Sequence, residues 1–384
     1  SSNTNIATVN SSTGEVTGVS AGTVNIYSNT YSFGYTLIVT EMPNGTYFFR
    51  NKQSKYFADI QGPTMAAGTT IHQWSFHGGN SQKWILTHLG DGYYTIRSNN
   101  SSSAYYMGVI NDSTGLDVDV VLRTGSITDG MKWKFAKTTN GAYKVIPKIG
   151  EPMGYILATT TSNEANGYKL IQGAYIDNNS YRDEWELHEF RDYTLMYIGY
   201  NVGDPLMPPI VDAVSSALET NAGMTGYGYT SLTKKELLVH LSSTTFFSCI
   251  THGLQTMINT TDGNLSVSDI NSLDNYAFNN LKFVYFGACE TGAGRSSETN
   301  LVNTVYNKGA DAVLGFTEDV YVSETNLWTK EFMISLSNGV TLAEAMINAD
   351  EAVRKEPNLN VPWFSTSSNY RYLEGSDQLV VCNY

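Results

Sequence analysis

Cysteine and basic residues are scarce in this 384-residue sequence. The three cysteines, Cys249, Cys289 and Cys382, are odd in number and widely spaced, so they do not predict a disulfide framework. Acidic residues outnumber lysine and arginine, the formal net charge is −13, and no run of basic residues occurs. Because phosphate binding needs clustered positive charge, we expect no nucleic-acid partner.

Long apolar segments and metal-ligand patterns are also lacking. No window of 18 apolar residues occurs, which predicts that no segment spans a membrane. Carboxylates are too dispersed for a calcium loop, so we expect no metal and no cofactor. Four histidines are likewise too scattered for a metal-ligand set: His72, His77, His88 and His188. The length favours two or three domains, each stabilised by its own apolar core.

Residues 1–41 alternate short β-branched stretches with glycine-rich turns, as in "IATVNSSTGEVTGVSAGTVNIYS" and "YTLIVT". This pattern is typical of a small β-sandwich. The phrase "TGEVTGVSAGTVNI" resembles the second half of a bacterial Ig-like domain of the kind found in cell-surface proteins. Half a sandwich leaves strand edges unpaired, so we expect these strands to borrow partners or to be poorly ordered.

Residues 43–190 contain a repeat. Trp84, Trp133 and Trp185 lie 49 and 52 residues apart, and each follows a similar upstream phrase with paired aromatic or apolar residues. Such a period indicates one supersecondary unit used three times. Three units with one bulky indole each predict a β-trefoil. The whole segment resembles the ricin-type lectin family, which implies a glycan partner.

The resemblance to ricin-type lectins implies a sugar site built from an acid, an aromatic ring and an amide. Asp59 supplies the acid in the first repeat, whereas the aligned positions hold Gly108 and Ala158. One shallow site is therefore expected, in the first repeat, where a carboxylate accepts sugar hydroxyls. The other candidate residues of this site are Gln73, Trp74, His77 and Asn80. A trefoil that serves only as a spacer or a protein-docking surface remains the alternative.

Residues 192–384 alternate strand and helix patterns, which predicts an α/β domain with a doubly wound, mostly parallel sheet. "YTLMYIGY" predicts the first strand, and "PPIVDAVSSALET" predicts a helix that starts at a proline pair. Two further helices begin with capping boxes, Thr233 with Glu236 and Thr341 with Glu344. The chain is thus expected to be multidomain: partial Ig-like β-sandwich strands, a β-trefoil and an α/β domain.

Two apolar strands of this last segment end on reactive residues. "TTFFSCITHG" ends at His252 and Gly253, and "LKFVYFGACETG" reaches Cys289 just after its apolar run. Active groups gather outside the carboxyl ends of parallel strands, so neighbouring strands would bring thiol and imidazole together. The imidazole would raise the thiolate content and later protonate a leaving amine. The backbone amides of Gly253 and Cys289 could form an oxyanion hole.

The motifs "THG" and "GACETG" resemble those of the caspase-like cysteine peptidases, which include caspases, gingipain, clostripain and the separase-related peptidases. The resemblance implies a caspase-like fold and peptide-bond cleavage through an acyl-enzyme. Cys289 would be the nucleophile and His252 the general base and acid, without a third acid. By contrast, we expect Cys249 to be inert core, and His240 to be a structural cation at a helix end.

The substrate side chain is not readable from these motifs. Several arginine-specific relatives carry an aspartate two residues before the nucleophile, where this sequence has Gly287. Gly287 would border the substrate, and Glu290, Glu318 or Asp319 could supply a pocket acid instead. Exposed acids on such loops are more often solvated.

Three functions remain open. We expect a secreted or cell-surface cysteine endopeptidase whose trefoil directs it to glycans or glycoproteins, since tethering raises the local substrate concentration. The first alternative is a carbohydrate-binding surface protein with an inactive peptidase-like domain. The second is a peptidase used only for self-processing or toxin-like cleavage, with the trefoil as a docking module. The compartment is inferred from the lectin-like and Ig-like resemblances alone.

Overall fold

The computed structural model describes residues 3–4, 7–10, 16–18, 22–27, 34–39, 42–62, 65–99, 104–160, 165–174, 182–199, 204–356 and 371–382. The chain divides into two units. The first comprises Ser1–Phe76 and Asn80–Glu189, and the second comprises His77–Gly79 and Phe190–Tyr384.

The first unit opens with two short antiparallel strand pairs. Strand β1 (Ala7–Val9) pairs with β2 (Val16–Gly18), and β3 (Gly22–Tyr27) pairs with β4 (Gly34–Val39). Val9 and Val16 of the first pair pack against a small core of Val24 and Ile26 in the second. The described strands therefore pair with each other, whereas we had expected them to borrow partners from the next domain or to be poorly ordered. Much of residues 1–41 lies outside the described residues.

A twelve-stranded sheet forms the rest of the first unit. Its strands are β5 (Gly45–Asn51), β6 (Phe57–Ile60), β7 (Ile71–Trp74), β8 (Lys83–Gly90), β9 (Tyr93–Ser98), β10 (Tyr106–Val109), β11 (Val118–Arg123), β12 (Trp133–Lys137), β13 (Tyr143–Pro147), β14 (Tyr155–Thr159), β15 (Leu170–Ala174) and β16 (Trp185–Glu189). Short 3-10 turns lie at Asn80–Gln82, Ile110–Asp112, Asp129–Met131 and Glu151–Met153.

One hydrogen bond recurs in all three repeats of this sheet. The buried indoles of Trp84, Trp133 and Trp185 donate to three backbone carbonyls at 2.9 to 3.0 Å. The acceptors are Ala58 on β6, Met107 on β10 and Leu157 on β14. Each acceptor strand pairs with the next strand in the chain, so the repeats are built alike. This is the β-trefoil architecture that the tryptophan period predicts.

The second unit alternates strands and helices. Its elements are β17 (Arg191–Gly199), α1 (Met207–Ala222), β18 (Gly226–Tyr229), α2 (Lys234–Ser242), β19 (Thr244–Thr251), β20 (Gly253–Leu254), β21 (Met257–Thr260), β22 (Gly263–Ser266), α3 (Val267–Asn271), β23 (Phe283–Gly287), α4 (Leu301–Asn307), β24 (Ala312–Phe316), α5 (Val322–Ser337), α6 (Leu342–Lys355) and β25 (Arg371–Gly375), with a 3-10 turn at Arg295–Ser297.

Six of these strands form one sheet in the order β18-β17-β19-β23-β24-β25. All neighbours run parallel except β25, which is antiparallel to β24. Strands buried on both faces explain the uninterrupted apolar runs in the sequence. Both capping boxes form: Thr233 accepts from the Glu236 amide at the start of α2, and Thr341 caps α6 in the same way. Within the described part of the chain, no helix has the length and apolarity needed to cross a membrane.

Candidate active site

The register of β19 and β23 brings the two strand ends together. These strands are parallel neighbours, and Ile250 pairs with Gly287 at the last paired position. His252 lies two residues after Ile250, and Cys289 lies two residues after Gly287. Because register is shared along parallel neighbours, both residues lie at equivalent positions on the carboxyl edge of the sheet.

Gly253 packs directly on the segment that carries the thiol. A Cβ atom at Gly253 would lie 2.7 Å from the Cβ of Ala288 and 2.8 Å from the carbonyl oxygen of Cys289. These distances leave no room for a side chain, so only glycine allows this approach. The segments that follow β19 and β23 are therefore in van der Waals contact.

The histidine segment turns into a small antiparallel sheet of β20, β21 and β22. The Asn259 amide donates to the carbonyl of His252 at 2.9 Å. Bonded and non-bonded positions alternate in an antiparallel pair, so Gly253, which pairs with Ile258, takes the next, non-bonded position. Its amide therefore points away from β21. The His252 side chain is exposed.

The thiol of Cys289 is half-buried and lies against the loop after β24. The Val320 amide donates to Sγ at 3.4 Å. Burial raises the pKa of the Cys289 thiol, the Val320 amide opposes this, and the carboxylate of Asp319 raises the pKa further. The resting thiol is therefore neutral at neutral pH. Burial and a neighbouring negative charge both disfavour the thiolate.

The four residues expected to line the substrate pocket have different surroundings. Glu290 is half-buried with a left-handed φ of 55°, and its amide donates to the carbonyl of Glu318 at 3.2 Å. Glu318 and Asp319 are exposed, and the Cys289 thiol donates to the carbonyl of Val320 at 3.8 Å. The expectation that Gly287 borders the substrate is corrected, because this residue is buried at the end of β23. A Cβ there would lie 2.7 Å from the Cys249 carbonyl oxygen.

Two other titratable residues of this unit have pKa values shifted by burial, Cys249 fully buried and His240 partly so. Cys249 is fully buried in β19, and burial raises the pKa of its thiol well above the ordinary value, as expected of inert core. The His240 ring packs against Tyr229 in a tilted arrangement with ring centroids 4.8 Å apart. Burial lowers the pKa of His240 to about 4, so the expected cation at this helix end is wrong.

Sequence reasoning missed several residues around the thiol. Val320 holds Sγ through its amide, a role that no side-chain pattern can reveal. Leu254 and Tyr321 flank the two segments, and their side chains are 52% and 62% exposed. Leu254 directly follows the "THG" motif, and an apolar residue at that place was the available signal. Both offer apolar surface next to the reacting groups.

The expected sugar site in the first trefoil repeat is partly assembled. Asp59 pairs with His72 across β6 and β7, is only 5% exposed, and has Oδ2 at 3.7 Å from Nε2 of His72. The His72 ring stacks on Trp74 with centroids 5.0 Å apart, and Trp74 is 36% exposed. A carboxylate, an imidazole and an accessible indole thus lie in one row.

The other proposed sugar ligands have different places. Gln73 is buried: its Nε2 donates to the Ala165 carbonyl and its Oε1 accepts from Ser54, so its amide is structural. His77 belongs to the second unit, where its carbonyl accepts from the Asp274 amide at 2.8 Å. Neither therefore supports the expected role, whereas Asn80 is exposed at the start of a 3-10 turn.

The structure also explains why the second repeat lacks an acid. The indole bonds show that Asp59, Gly108 and Ala158 occupy equivalent positions, each one residue after the bonded carbonyl. A Cβ at Gly108 would lie 2.8 Å from Cδ of Arg123, so no carboxylate fits there. Within the described ranges, no group of three or more histidine, cysteine or carboxylate side chains could hold a metal ion.

Comparison with known proteins adds to both units. A family model described as ricin-type beta-trefoil lectin domain-like matches residues 31–122. Flavastacin of Elizabethkingia meningoseptica is 33% identical over 110 residues, which cover 28% of this chain and a quarter (25%) of that protein. The designed threefold protein ThreeFoil is 26% identical, covering 38% of this chain and 100% of its own, with a TM-score of 0.35. The Rhizoctonia solani agglutinin is 24% identical, covering 39% and 99%, with a TM-score of 0.34.

The second unit is matched by a different family model. The model of peptidase family C25 covers residues 164–373, which is more than half of the chain and includes the whole segment from β17 to β24. Cys289 and the carboxyl edge of the parallel sheet lie inside the matched region. The chain therefore belongs to peptidase family C25 and carries a ricin-type beta-trefoil lectin-like domain.

Proposed function

We propose that this chain is a secreted or cell-surface endopeptidase that cleaves proteins or glycoproteins with a Cys289 and His252 dyad. The observation that carries the proposal is the shared register of β19 and β23, which gives the thiol and the imidazole equivalent positions on one sheet edge. The contact of Gly253 with the Cys289 carbonyl supports the same pairing. Catalysis by two such groups needs them within hydrogen-bond reach, directly or after substrate binding.

The neutral resting thiol determines the first chemical step. Sγ of Cys289 attacks the scissile carbonyl carbon while its proton passes to the imidazole of His252. The tetrahedral intermediate collapses, the C–N bond breaks, and His252 protonates the departing amine. A thioester remains on Cys289. Water then attacks this thioester with His252 as base, the carboxylic acid leaves, and the thiol is regenerated.

The oxyanion formed in each half-reaction needs hydrogen-bond donors. The Gly253 amide is one candidate, because it points away from β21 and lies against the nucleophile segment. The Cys289 amide is the second. Losing one such donor costs about 3 kcal/mol of transition-state stabilisation, so their placement is a large part of the proposal.

The trefoil is proposed to direct the peptidase to glycans. Asp59 and the exposed face of Trp74 support one site in the first repeat, with Asn80 as a further donor or acceptor. A carboxylate that accepts sugar hydroxyls beside an aromatic ring is a common way to bind carbohydrate. Tethering at this site would concentrate the peptidase on glycoprotein surfaces without new catalytic contacts.

The test of the peptidase proposal is a peptide-library digest with wild type, Cys289→Ala and His252→Ala in parallel. Cleavage by wild type and loss of at least about 10³-fold in both variants is expected, because each removes one half of the dyad. Cys382→Ala, a buried thiol far along the chain, is the matched control and should cleave as wild type does. Cleavage by Cys289→Ala would overturn the assignment of the nucleophile.

Intact-mass analysis of the same variants separates substrate cleavage from self-processing. If self-processing is the function, wild type loses a segment during storage while Cys289→Ala keeps its full mass. If wild type and Cys289→Ala both keep their full-length mass and wild type cleaves peptides, the endopeptidase function is supported. Absence of both activities in wild type would instead favour a carbohydrate-binding protein with an inactive peptidase-like domain.

A glycan array tests the trefoil proposal independently. Binding by wild type should be lost in Asp59→Asn and Trp74→Ala, because the first removes the acceptor charge and the second the stacking face. Leu89→Ala, at an exposed apolar residue of the same domain, is the control. Equal binding by all four proteins would exclude this site.

A further inference from the structure

The first turn of α4 is bonded to both catalytic segments. The amide of Leu301, the first residue of the helix, donates to the carbonyl of Gln255 at 3.0 Å. The next amide, of Val302, donates to the carbonyl of Thr291 at 3.2 Å. These amides have no partner inside the helix. Gln255 lies three residues after His252, and Thr291 lies two residues after Cys289, so one helix end joins both segments.

The side chain of Gln255 makes a second link of the same kind. Its Nε2 donates to Oε2 of Glu298 at 2.8 Å and to the carbonyl of Thr299 at 3.1 Å. Both acceptors lie in the loop that follows Cys289. Gln255 therefore accepts one hydrogen bond from α4 through its backbone carbonyl. It donates two to the loop that follows Cys289 through its side-chain amide.

The loop that receives these bonds is itself fixed. The buried side chain of Asn300 donates to the carbonyls of Ala293 and Arg295 at 2.9 and 2.7 Å, and its Oδ1 accepts from the Asn303 amide. The Asn303 side chain donates to the carbonyl of Arg295 as well. These bonds hold the loop in place, and the Gln255 bonds in turn hold the histidine segment against the loop.

We propose that Gln255 is a positioning residue that sets the placement of His252 relative to Cys289. The inference rests on the dyad proposed above. On its other side, the carbonyl of His252 is held by the Asn259 amide, while its side chain is exposed. The Gln255 bonds add the link between this segment and the loop that follows Cys289. Proton transfer requires close contact, and a displacement of 1 Å can cost about 10²-fold in rate.

The first arm of the test is Gln255→Leu, which keeps the volume of the side chain and removes its donors. With a peptide chosen from the library digest, kcat should fall at least about tenfold while KM stays within about twofold, because the substrate surface is unchanged. Iodoacetamide labelling of Cys289 at alkaline pH should keep its rate, since the Val320 amide holds the thiol. Gln378→Leu, the same change on an exposed glutamine near the carboxyl end, is the control.

The second arm exchanges the two partners. Gln255→Glu places a carboxylate against Glu298 and should lower kcat at least as much as Gln255→Leu. The double variant Gln255→Glu with Glu298→Gln again places a donor opposite an acceptor, so part of the lost kcat should return. A merely structural residue would not show this rescue with unchanged KM.

The outcomes distinguish this inference from the dyad. Wild-type kcat in Gln255→Leu, alongside inactive Cys289→Ala and His252→Ala, would overturn the positioning role and leave the dyad intact. Activity in His252→Ala would overturn both. If Gln255→Leu does not fold, the exchange arm decides: a double variant no more active than Gln255→Glu would refute the role of Gln255.

Discussion

The trefoil and the peptidase unit are built on opposite principles. The trefoil uses one structural device three times, an indole bonded to a strand carbonyl, and keeps a candidate ligand in only one repeat. The peptidase unit uses each element once, and its site arises where two strands happen to be neighbours. In the trefoil, the candidate site exists because one repeat differs from the other two. In the peptidase unit, the candidate site exists because two strands are neighbours in the sheet.

This difference shows where each unit tolerates change. Equivalent trefoil positions hold Asp59, Gly108 and Ala158, and Arg123 fills the space that an acid would need in the second repeat. A repeat can therefore lose its ligand without losing its fold. At the peptidase edge, Gly253 has no such freedom, because it is packed on backbone.

Outside the proposed dyad, the largest effect is expected at Gly253. Gly253→Ala places a methyl group at 2.7 to 2.8 Å from Ala288 and Cys289, so the histidine segment must move away from the thiol. Activity on the best library peptide should fall about 10²-fold. Gly45→Ala, whose new Cβ would meet neighbours only at 3.5 Å or more, should retain full activity. Comparable activity in both variants would contradict the tight approach.

A substitution that destabilises the trefoil should leave the activity of the peptidase unit unchanged. Trp133→Phe removes the donor to the Met107 carbonyl, and a buried carbonyl without a partner costs about 1 to 3 kcal/mol. Calorimetry should show a lower unfolding temperature for one transition, with peptidase activity unchanged below it. The same substitution at the partly exposed Trp74 should shift that transition much less. Equal shifts would mean that the repeated indole bond is not a main support.

His240 gives the peptidase unit a sensitivity to acid. Its pKa is about 4 in the folded chain and about 6.5 when unfolded, so between these values the unfolded state binds more protons. The free energy of unfolding should therefore fall as the pH drops from 6.5 to 4, by about 2 kcal/mol for this partly exposed ring.

The matching variant is His240→Phe, whose ring does not titrate. Denaturant unfolding of both proteins across this pH range isolates the histidine, since other acid-sensitive groups contribute equally to each. The variant should lose less stability than wild type toward pH 4 and behave alike above pH 6.5. A parallel decline in the two proteins would show that His240 is not the responsible group.

The smallest effect concerns the thiol itself. Asp319 raises the pKa of Cys289, so Asp319→Asn should lower that pKa and move the rate profile of iodoacetamide labelling to lower pH. Mass spectrometry of the Cys289 peptide measures the profile. Asp212→Asn, an exposed acid on α1, should leave it unchanged. A shift toward higher pH in Asp319→Asn would reverse the assigned sign.

Local signals in the sequence predicted much of the fold. The tryptophan period predicted the trefoil, because a threefold core demands the same bulky residue at equal spacing. Capping boxes predicted the starts of α2 and α6, since a cap is set by residues three apart. Strand β18, with two glycines among four residues, and strand β25 at the other edge of the sheet were not predicted. Edge strands show weaker apolar patterns because they are less buried.

Only part of the candidate site could be predicted from the sequence. His252 and Cys289 could be picked out because each follows an apolar run and stands beside a glycine. The bonds from Val320 and Gln255 could not, since they come from distant segments, and one of them uses only a backbone amide. The raised pKa of the Cys289 thiol and the lowered pKa of His240 were not predicted either, because burial is not visible in residue identity.

The sequence by itself determined most of the strands and helices away from the sheet edges, how often the trefoil unit recurs and which residues carry reactive groups, because these depend on neighbours within a few positions. Only the tertiary structure decided that β19 lies beside β23 and in which register. It alone also decided which charges and amides surround the thiol. Strand order and burial follow from contacts between residues far apart in the chain, and no local pattern contains them.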